Sequence, residues 1–226
     1  MRVGVLFSGG KDSCLALHKS QSFHDAVCLI SLISESEESY MFHVPNIELT
    51  DRQAEAIGLP LVQRRTEGKK EKELEDLKRA ICTAKADFDL EGIVTGAVRS
   101  IYQSTRVQRI CKQLGLWCFN PLWLKDEIEL LNEVVKSKYE VIISGVFAFP
   151  LDREFLGKNL DNELIQKLAR LKEEYGLSPA GEGGEIETTV TDAPFFKKRL
   201  EILDSEVSYK DYSGTFRIKN LRLIDK

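Results

Sequence analysis

Six consecutive residues near the start of the chain, Ser8-Gly9-Gly10-Lys11-Asp12-Ser13, are of the types needed to grip a polyphosphate. They fall where a short apolar run, Arg2 to Phe7, gives way to a helical pattern carrying Leu15, Ala16 and Leu17. A strand-to-helix turn of this kind aims successive backbone N–H groups, and the positive end of the helix dipole, at an anion. Gly9 and Gly10 lack Cβ atoms, so the backbone can approach the ligand closely. Lys11 adds a point charge, and the hydroxyls of Ser8 and Ser13 can donate to phosphoryl oxygens. Asp12 would repel a polyphosphate unless a cation lay between them, which makes it a candidate ligand for Mg²⁺. Because Lys11 is followed by Asp12, the pattern GxxxxGK[ST] is absent, and so is GxGxxG; neither a Walker-type ATPase nor a nicotinamide enzyme is indicated.

Two later stretches carry further chemistry. Gly96, Ala97, Tyr102, Gln103 and Arg106 follow a strand-like segment, Gly92 to Thr95, at the edge where open α/β sheets bind ligands. Gly96 would let the backbone pass close to a nucleotide. Arg106 lies one helical turn beyond Tyr102 and Gln103 and can meet a phosphate or a carboxylate, although such an arginine more often serves a surface ion pair. Glu182, Glu185 and Glu187 alternate with Gly181, Gly183 and Gly184 in a flexible acidic loop. That loop can bind a metal, a cationic substrate or an amine nucleophile, and its composition equally suits a solvated hairpin. After it, Asp192-Ala193-Pro194-Phe195-Phe196 places two adjacent aromatics that would anchor it to the core.

The elements that must position these residues can be read from periodicity. The unalternated run Ala26 to Ser34 suits a strand of a parallel sheet covered on both faces. Asn46 is the expected cap of a helix through Ala56 that Gly58 ends, before a strand at Leu61 to Arg65 and a charged helix from Lys70 to Ala86. Ser100 caps the next helix and Gly115 stops it; a short strand, Leu116 to Phe119, a helix from Asp126 to Ser137 and an apolar strand, Glu140 to Ala148, follow. Alternation of this kind predicts a doubly wound parallel α/β domain over residues 1–150. Beyond Pro150, a helix over Asn162 to Tyr175 and strands around a turn at Ser213-Gly214 predict a smaller mixed α+β domain over 151–226.

The 226 residues are 42% hydrophobic and 30% charged, an ordinary globular composition, and no apolar run is long enough to span a bilayer. A formal net charge of −4 argues against a broad nucleic-acid footprint, and the five cysteines form no CxxC pair and read as reduced thiols. A cytoplasmic protein is expected, and a homo-oligomer is compatible with the sequence.

The string SGGKDS resembles the pyrophosphate loop of the N-type ATP pyrophosphatases. Together with Ser100 to Val107, Pro179 to Thr188 and Asp192 to Phe196, it resembles the diphthine-ammonia ligase family over nearly the whole chain; Ile186 and Gln108 depart from the family pattern. The resemblance implies a HUP-like nucleotide domain, ATP and Mg²⁺ as cofactors, and amidation of diphthine on translation elongation factor 2 with ammonium, releasing AMP and pyrophosphate. It implies a nucleotide site from Ser8, Gly9, Gly10, Lys11, Asp12, Ser13, Ser34, Gly96, Ala97, Tyr102, Gly183 and Gly184, with Asp12 on the metal. Lys11, Arg106, Glu182, Glu185 and Glu187 would be catalytic. Tyr102 and the glutamates are also candidates to receive diphthine's quaternary ammonium, and His43 to line the cleft. The alternatives are a tRNA-modifying enzyme of the same superfamily and a non-catalytic ATP sensor.

Overall fold

The computed structural model describes residues 1–34, 45–68 and 70–226. They fall into two compact units: the first comprises the described residues of 1–8, 12–43 and 47–123, the second those of 9–11, 44–46 and 124–226. Among the described residues no helix is long and apolar enough to cross a membrane.

In the first unit, strands β1 (Arg2–Leu6), β2 (Asp25–Ser34), β3 (Leu61–Thr66), β4 (Gly92–Val94) and β5 (Trp117–Phe119) form one parallel sheet in the order β3-β2-β1-β4-β5. Chain order runs outward from β1 on one side and resumes on its other side with β4. The carboxyl ends of β1 and β4 therefore flank the point where strand order reverses, which is where such sheets bind ligands. Helices α1 (Lys11–Ser20), α2 (Thr50–Ile57), α3 (Lys70–Phe88) and α4 (Ile101–Leu114) complete the unit. Cys28, Ile30 and Leu32 of β2 pack with Leu77, Ile81 and Ala84 of α3, Ile93 of β4, and Val107, Ile110 and Cys111 of α4. Each fully buried Leu or Ile there contributes roughly 1.5–3 kcal/mol.

Local signals set the helix ends. The Ser100 side chain accepts the Gln103 N–H at the start of α4, and Gly115 closes that helix in the left-handed region, as Gly58 closes α2. Asn46 departs from its expected role as the cap of α2. It sits at φ 66, ahead of a 3₁₀ turn, Ile47–Leu49, and α2 has no side-chain cap. Its Nδ2 instead donates to Thr189 Oγ1 and the Phe216 carbonyl, at 3.1 and 3.0 Å, and its Oδ1 accepts the Ile218 N–H at 2.9 Å. Three hydrogen bonds at a buried amide outweigh the one a cap would make.

The second unit contains helices α5 (Glu127–Lys136) and α6 (Asn162–Tyr175) and an antiparallel sheet of β6 (Glu140–Val146), β7 (Ile186–Asp192), β8 (Lys198–Lys210) and β9 (Ser213–Asp225), ordered β7-β6-β9-β8. β6, expected as the last strand of the parallel sheet, pairs antiparallel with both β7 and β9. Its apolar run reports burial on both faces and carries no information on strand direction. The units accordingly part between 123 and 124, where the sequence reading sets a boundary at 150. The hairpin turn also lies one pair earlier than expected: Lys210 pairs with Ser213, and Asp211 and Tyr212 form the turn at φ 48 and 61. Two positive φ values suit the right-handed twist of the flanking strands, and here non-glycine residues supply them.

Candidate functional site

The turn after β1 contributes residues to both units. In the first, the Ser8 N–H donates to Ser13 Oγ at 3.3 Å, and the two hydroxyls lie 3.3 Å apart. Gly96 packs on this segment: a Cβ at Gly96 would lie 2.9 Å from the Asp12 carbonyl carbon and the Ser13 nitrogen. Thr95 sets that approach, since its N–H donates to the Phe119 carbonyl at 2.9 Å while its Oγ1 donates to Asn120 Oδ1 at 2.6 Å and accepts the Ala97 N–H at 3.1 Å. Ser34 ends β2, half-buried beside Thr66. On α4 the Arg106 guanidinium stacks 3.3 Å from the Tyr102 ring centroid and donates to the Tyr102 carbonyl at 3.3 Å. The tyrosine face thus already receives a cation from its own helix.

The second unit holds Gly9 to Lys11 against β7. The Gly9 carbonyl accepts the Val190 N–H at 2.9 Å, and the Lys11 N–H donates to Thr188 Oγ1 at 3.1 Å. Gly9 has φ 77, which favours glycine there. Lys11 is 3% exposed, and its Nζ donates to the Ala180 carbonyl at 2.6 Å. The lysine charge is therefore aimed at the residue that leads into the acidic glycine loop.

That loop is shaped by its own amides. Gly181 and Gly184 adopt φ 76 and 84, and the Gly184 N–H donates to the Gly181 carbonyl at 2.9 Å. Glu185 turns back, accepting the Gly183 N–H on Oε2 at 2.9 Å and the Ser178 N–H on Oε1 at 3.4 Å. Ser178 Oγ accepts the Glu182 N–H at 2.9 Å and donates to Glu127 Oε1. Glu127 Oε2 in turn accepts Lys172 Nζ at 2.9 Å. Burial pushes the Glu127 carboxyl up, but hydrogen bonds from Ser178 and Lys172, the Lys172 charge and the Ala180 amide outweigh it and hold the pKa below the ordinary glutamate value.

The structure thus brings together Gly96 with Asp12 and Ser13 in one unit, and Lys11 with Ala180 and Thr188 in the other; Tyr102 and Arg106 join each other. Phe196 is buried and stacks edge-on with Phe195, which meets Tyr139; these contacts hold the turn after β7, at the far end of that strand from the acidic loop. His43 lies outside the described residues. Cys14, directly after the phosphate-type loop, is buried, and desolvation together with Asp12 raises its pKa well above the ordinary thiol value, keeping it protonated.

Sequence reasoning passed over Glu127, Ser178 and Thr188. A signal for Glu127 exists: it shares the buried stripe of α5 with Leu130, Leu131 and Val134. A carboxylate on an apolar face calls for buried partners. Ser178 and Thr188 gave no such signal, because their roles depend on contacts distant in sequence.

Comparison with known proteins gives a consistent result. The family described as diphthamide synthase N-terminal domain matches residues 1–118, and that described as diphthamide synthase C-terminal domain matches 126–224. The chain is 40% identical over 224 residues to a diphthine–ammonia ligase of Schizosaccharomyces pombe, covering 92% of this chain and 37% of that protein. It is 37% and 34% identical over 245 residues to the diphthine–ammonia ligases of Bos taurus and Homo sapiens, covering 100% of this chain and 91% of each of those. It therefore spans about a third of the yeast relative and nearly all of the mammalian ones.

Proposed function

The chain belongs to the diphthamide synthase family, and from that membership we propose that it is an ATP-dependent ligase that amidates the carboxylate of diphthine on translation elongation factor 2 with ammonium. The observation that carries this reading is the buried Lys11 ammonium, 2.6 Å from the Ala180 carbonyl. It supports a loop for ATP phosphates and an acidic loop for the incoming nitrogen acting within one site.

The triphosphate lies along Ser8 to Ser13, with the adenine toward Ser34. Gly96, bare of a Cβ and set against the Asp12–Ser13 backbone, holds the loop in shape. A carboxylate oxygen of diphthine attacks the α phosphorus, and the bond to the β-phosphate oxygen breaks to release pyrophosphate. Charge growing on the phosphoryl oxygens is offset by Lys11 and by Arg106. Ammonium gives up a proton to a glutamate of the acidic loop, Glu182 or Glu187, and the resulting ammonia attacks the acyl carbon; the bond from the acyl carbon to the AMP phosphate oxygen breaks, AMP departs with the bonding pair and takes up the second nitrogen proton, and the neutral amide is left.

Among the described residues no cluster of three or more His, Cys, Asp or Glu side chains is placed to hold a metal. A dedicated all-protein cage is thus not part of the described site, whereas one carboxylate combined with substrate phosphates is the usual arrangement for Mg²⁺. Asp12, beside Lys11 in the first turn of α1, fits that donor set. Mg²⁺ bound there would supply charge neutralisation of the phosphates. A cytoplasmic location is part of this proposal, since it goes with the proposed protein substrate.

Product analysis tests the reading. With elongation factor bearing diphthine, ATP and ammonium, the purified chain should release AMP and pyrophosphate; omission of the diphthine-bearing factor should stop both, and omission of ammonium should stop steady turnover to AMP. Formation of ADP, or no turnover with that substrate, would refute the reading.

A further inference from the structure

Glu127 occupies an uncommon position: a carboxylate 5% exposed, at the start of a helix, facing the back of the acidic loop. Its two oxygens take different partners. Oε2 takes the Lys172 ammonium, and Oε1 takes the proton of Ser178 Oγ. A hydroxyl has a single proton, so Ser178 Oγ presents lone pairs elsewhere, and there it accepts the Glu182 N–H at 2.9 Å. The orientation of one side chain thus fixes the polarity of the next bond and the place of the Glu182 backbone. Ser178 also gives its own N–H to Glu185, which closes the other limb of the loop. Between these fixed points lies Ala180, whose carbonyl receives Lys11.

We propose that Glu127 is a positioning residue, acting through Ser178 to hold the Ala180–Glu185 segment so that the Lys11 ammonium and the loop glutamates keep a fixed separation. This rests on the ligase reading of Lys11 and of the acidic loop. Lys172 Nζ holds the Glu127 carboxylate by Oε2 at 2.9 Å and keeps it oriented toward Ser178. The backbone bonds of Gly9 and Lys11 to β7 do not pass through Glu127. Loss of the carboxylate should therefore disturb catalysis while leaving the phosphate loop in place.

The test uses the full chain carrying Glu127→Gln, which keeps shape and removes charge, with Ser178→Ala as a second variant that leaves Glu127 and Lys172 together. Three quantities are read: ATP affinity by calorimetry, kcat and the KM for ammonium, and hydrogen exchange of the peptide spanning 178–187. In both variants kcat should fall by about 10–100-fold, as expected for misplacement on the order of 1 Å, with ATP affinity within about threefold of the parent. The KM for ammonium should rise, and the Glu182 and Gly183 amides should exchange faster. Parent-like exchange and kcat in Glu127→Gln would overturn the proposal. So would kcat, ATP affinity and melting temperature falling in step, the signature of a merely structural carboxylate. If the parent itself gives no AMP with the diphthine-bearing substrate, the ligase reading fails, and the exchange data alone then judge the positioning role by the same criterion.

Discussion

Replacing Gly96 by Ala adds one methyl group where there is no room for it. The new Cβ would stand 2.9 Å from the Asp12 carbonyl carbon and the Ser13 nitrogen and 3.0 Å from the Asp12 oxygen, against an ordinary contact of 3.4–4 Å. The shortfall, about 0.5 Å, falls on backbone, which has no rotamer to escape into, and overpacking of this kind costs about 1–3 kcal/mol. That cost has two outlets. If the loop yields, its N–H groups leave the positions suited to a triphosphate, and ATP affinity drops by up to about 100-fold, since about 1.4 kcal/mol is a factor of ten. If the loop resists, the cost appears as lost stability, lowering the melting temperature by about 2–4 °C for each kcal/mol in a chain of this size. Calorimetric titration with ATP and Mg²⁺, paired with a thermal scan of the unliganded protein, measures both outlets. Their sum should come to about 1–3 kcal/mol. A Gly96→Ala protein matching the parent in both measurements would refute the placement of Gly96 against the phosphate loop.

Three other expectations are open to direct measurement. A Cβ at Gly181 would run into the Ile186 carbonyl, at φ 76, whereas Gly184, at φ 84, has nothing within 4 Å of that position. Gly184→Ala should cost only the left-handed strain of about 1–2 kcal/mol in urea unfolding, and Gly181→Ala clearly more; equal losses would contradict the loop's packing. Lys11→Met, close in length and without charge, should lower kcat by about 100- to 1,000-fold if the ammonium meets charge developing in the transition state, and an unaltered kcat would remove Lys11 from the chemistry. Acid titration isolates Glu127: because its folded pKa is lowered, its stabilisation is complete above the unfolded value of 4.5 and is lost as pH falls from there through the folded value. Glu127→Gln should therefore lose less stability than the parent between pH 4.5 and the acid limit of folding, and identical slopes would count against the assignment.

The first unit was largely legible because its information is local. A strand, two glycines and a helix start specify the turn after β1, and Ser100, Gly58 and Gly115 punctuate the helices through hydrogen bonds and φ values that depend on neighbours only a few residues away. The second unit was less so. The run Glu140 to Val146 announces a buried strand, but its antiparallel partners lie some 45 and 70 residues later, and no periodicity encodes which strand it will join. Asn46 misled for the same reason: its side chain suits a nearby helix N-terminus, yet its three bonds go to residues more than 140 positions away. The acidic loop's glutamates were visible as a cluster, whereas the inward turn of Glu185 onto Gly183 and Ser178 follows from loop geometry that composition does not contain.

The assignment of Gly9 to Lys11 and Asn46 to the unit otherwise built from the last hundred residues bears on how this protein can be recombined. A fragment starting at Leu124 would leave the Val190 amide, the Thr188 hydroxyl and the Ile218 amide without the groups that now complete them. Exchanging that half for a relative's would also set foreign partners against the native phosphate turn. A chimera that keeps both sides of these contacts from one parent should fold and turn over better than one crossed at residue 123, so the unit of inheritance here is a set of contacts and not a continuous stretch of sequence.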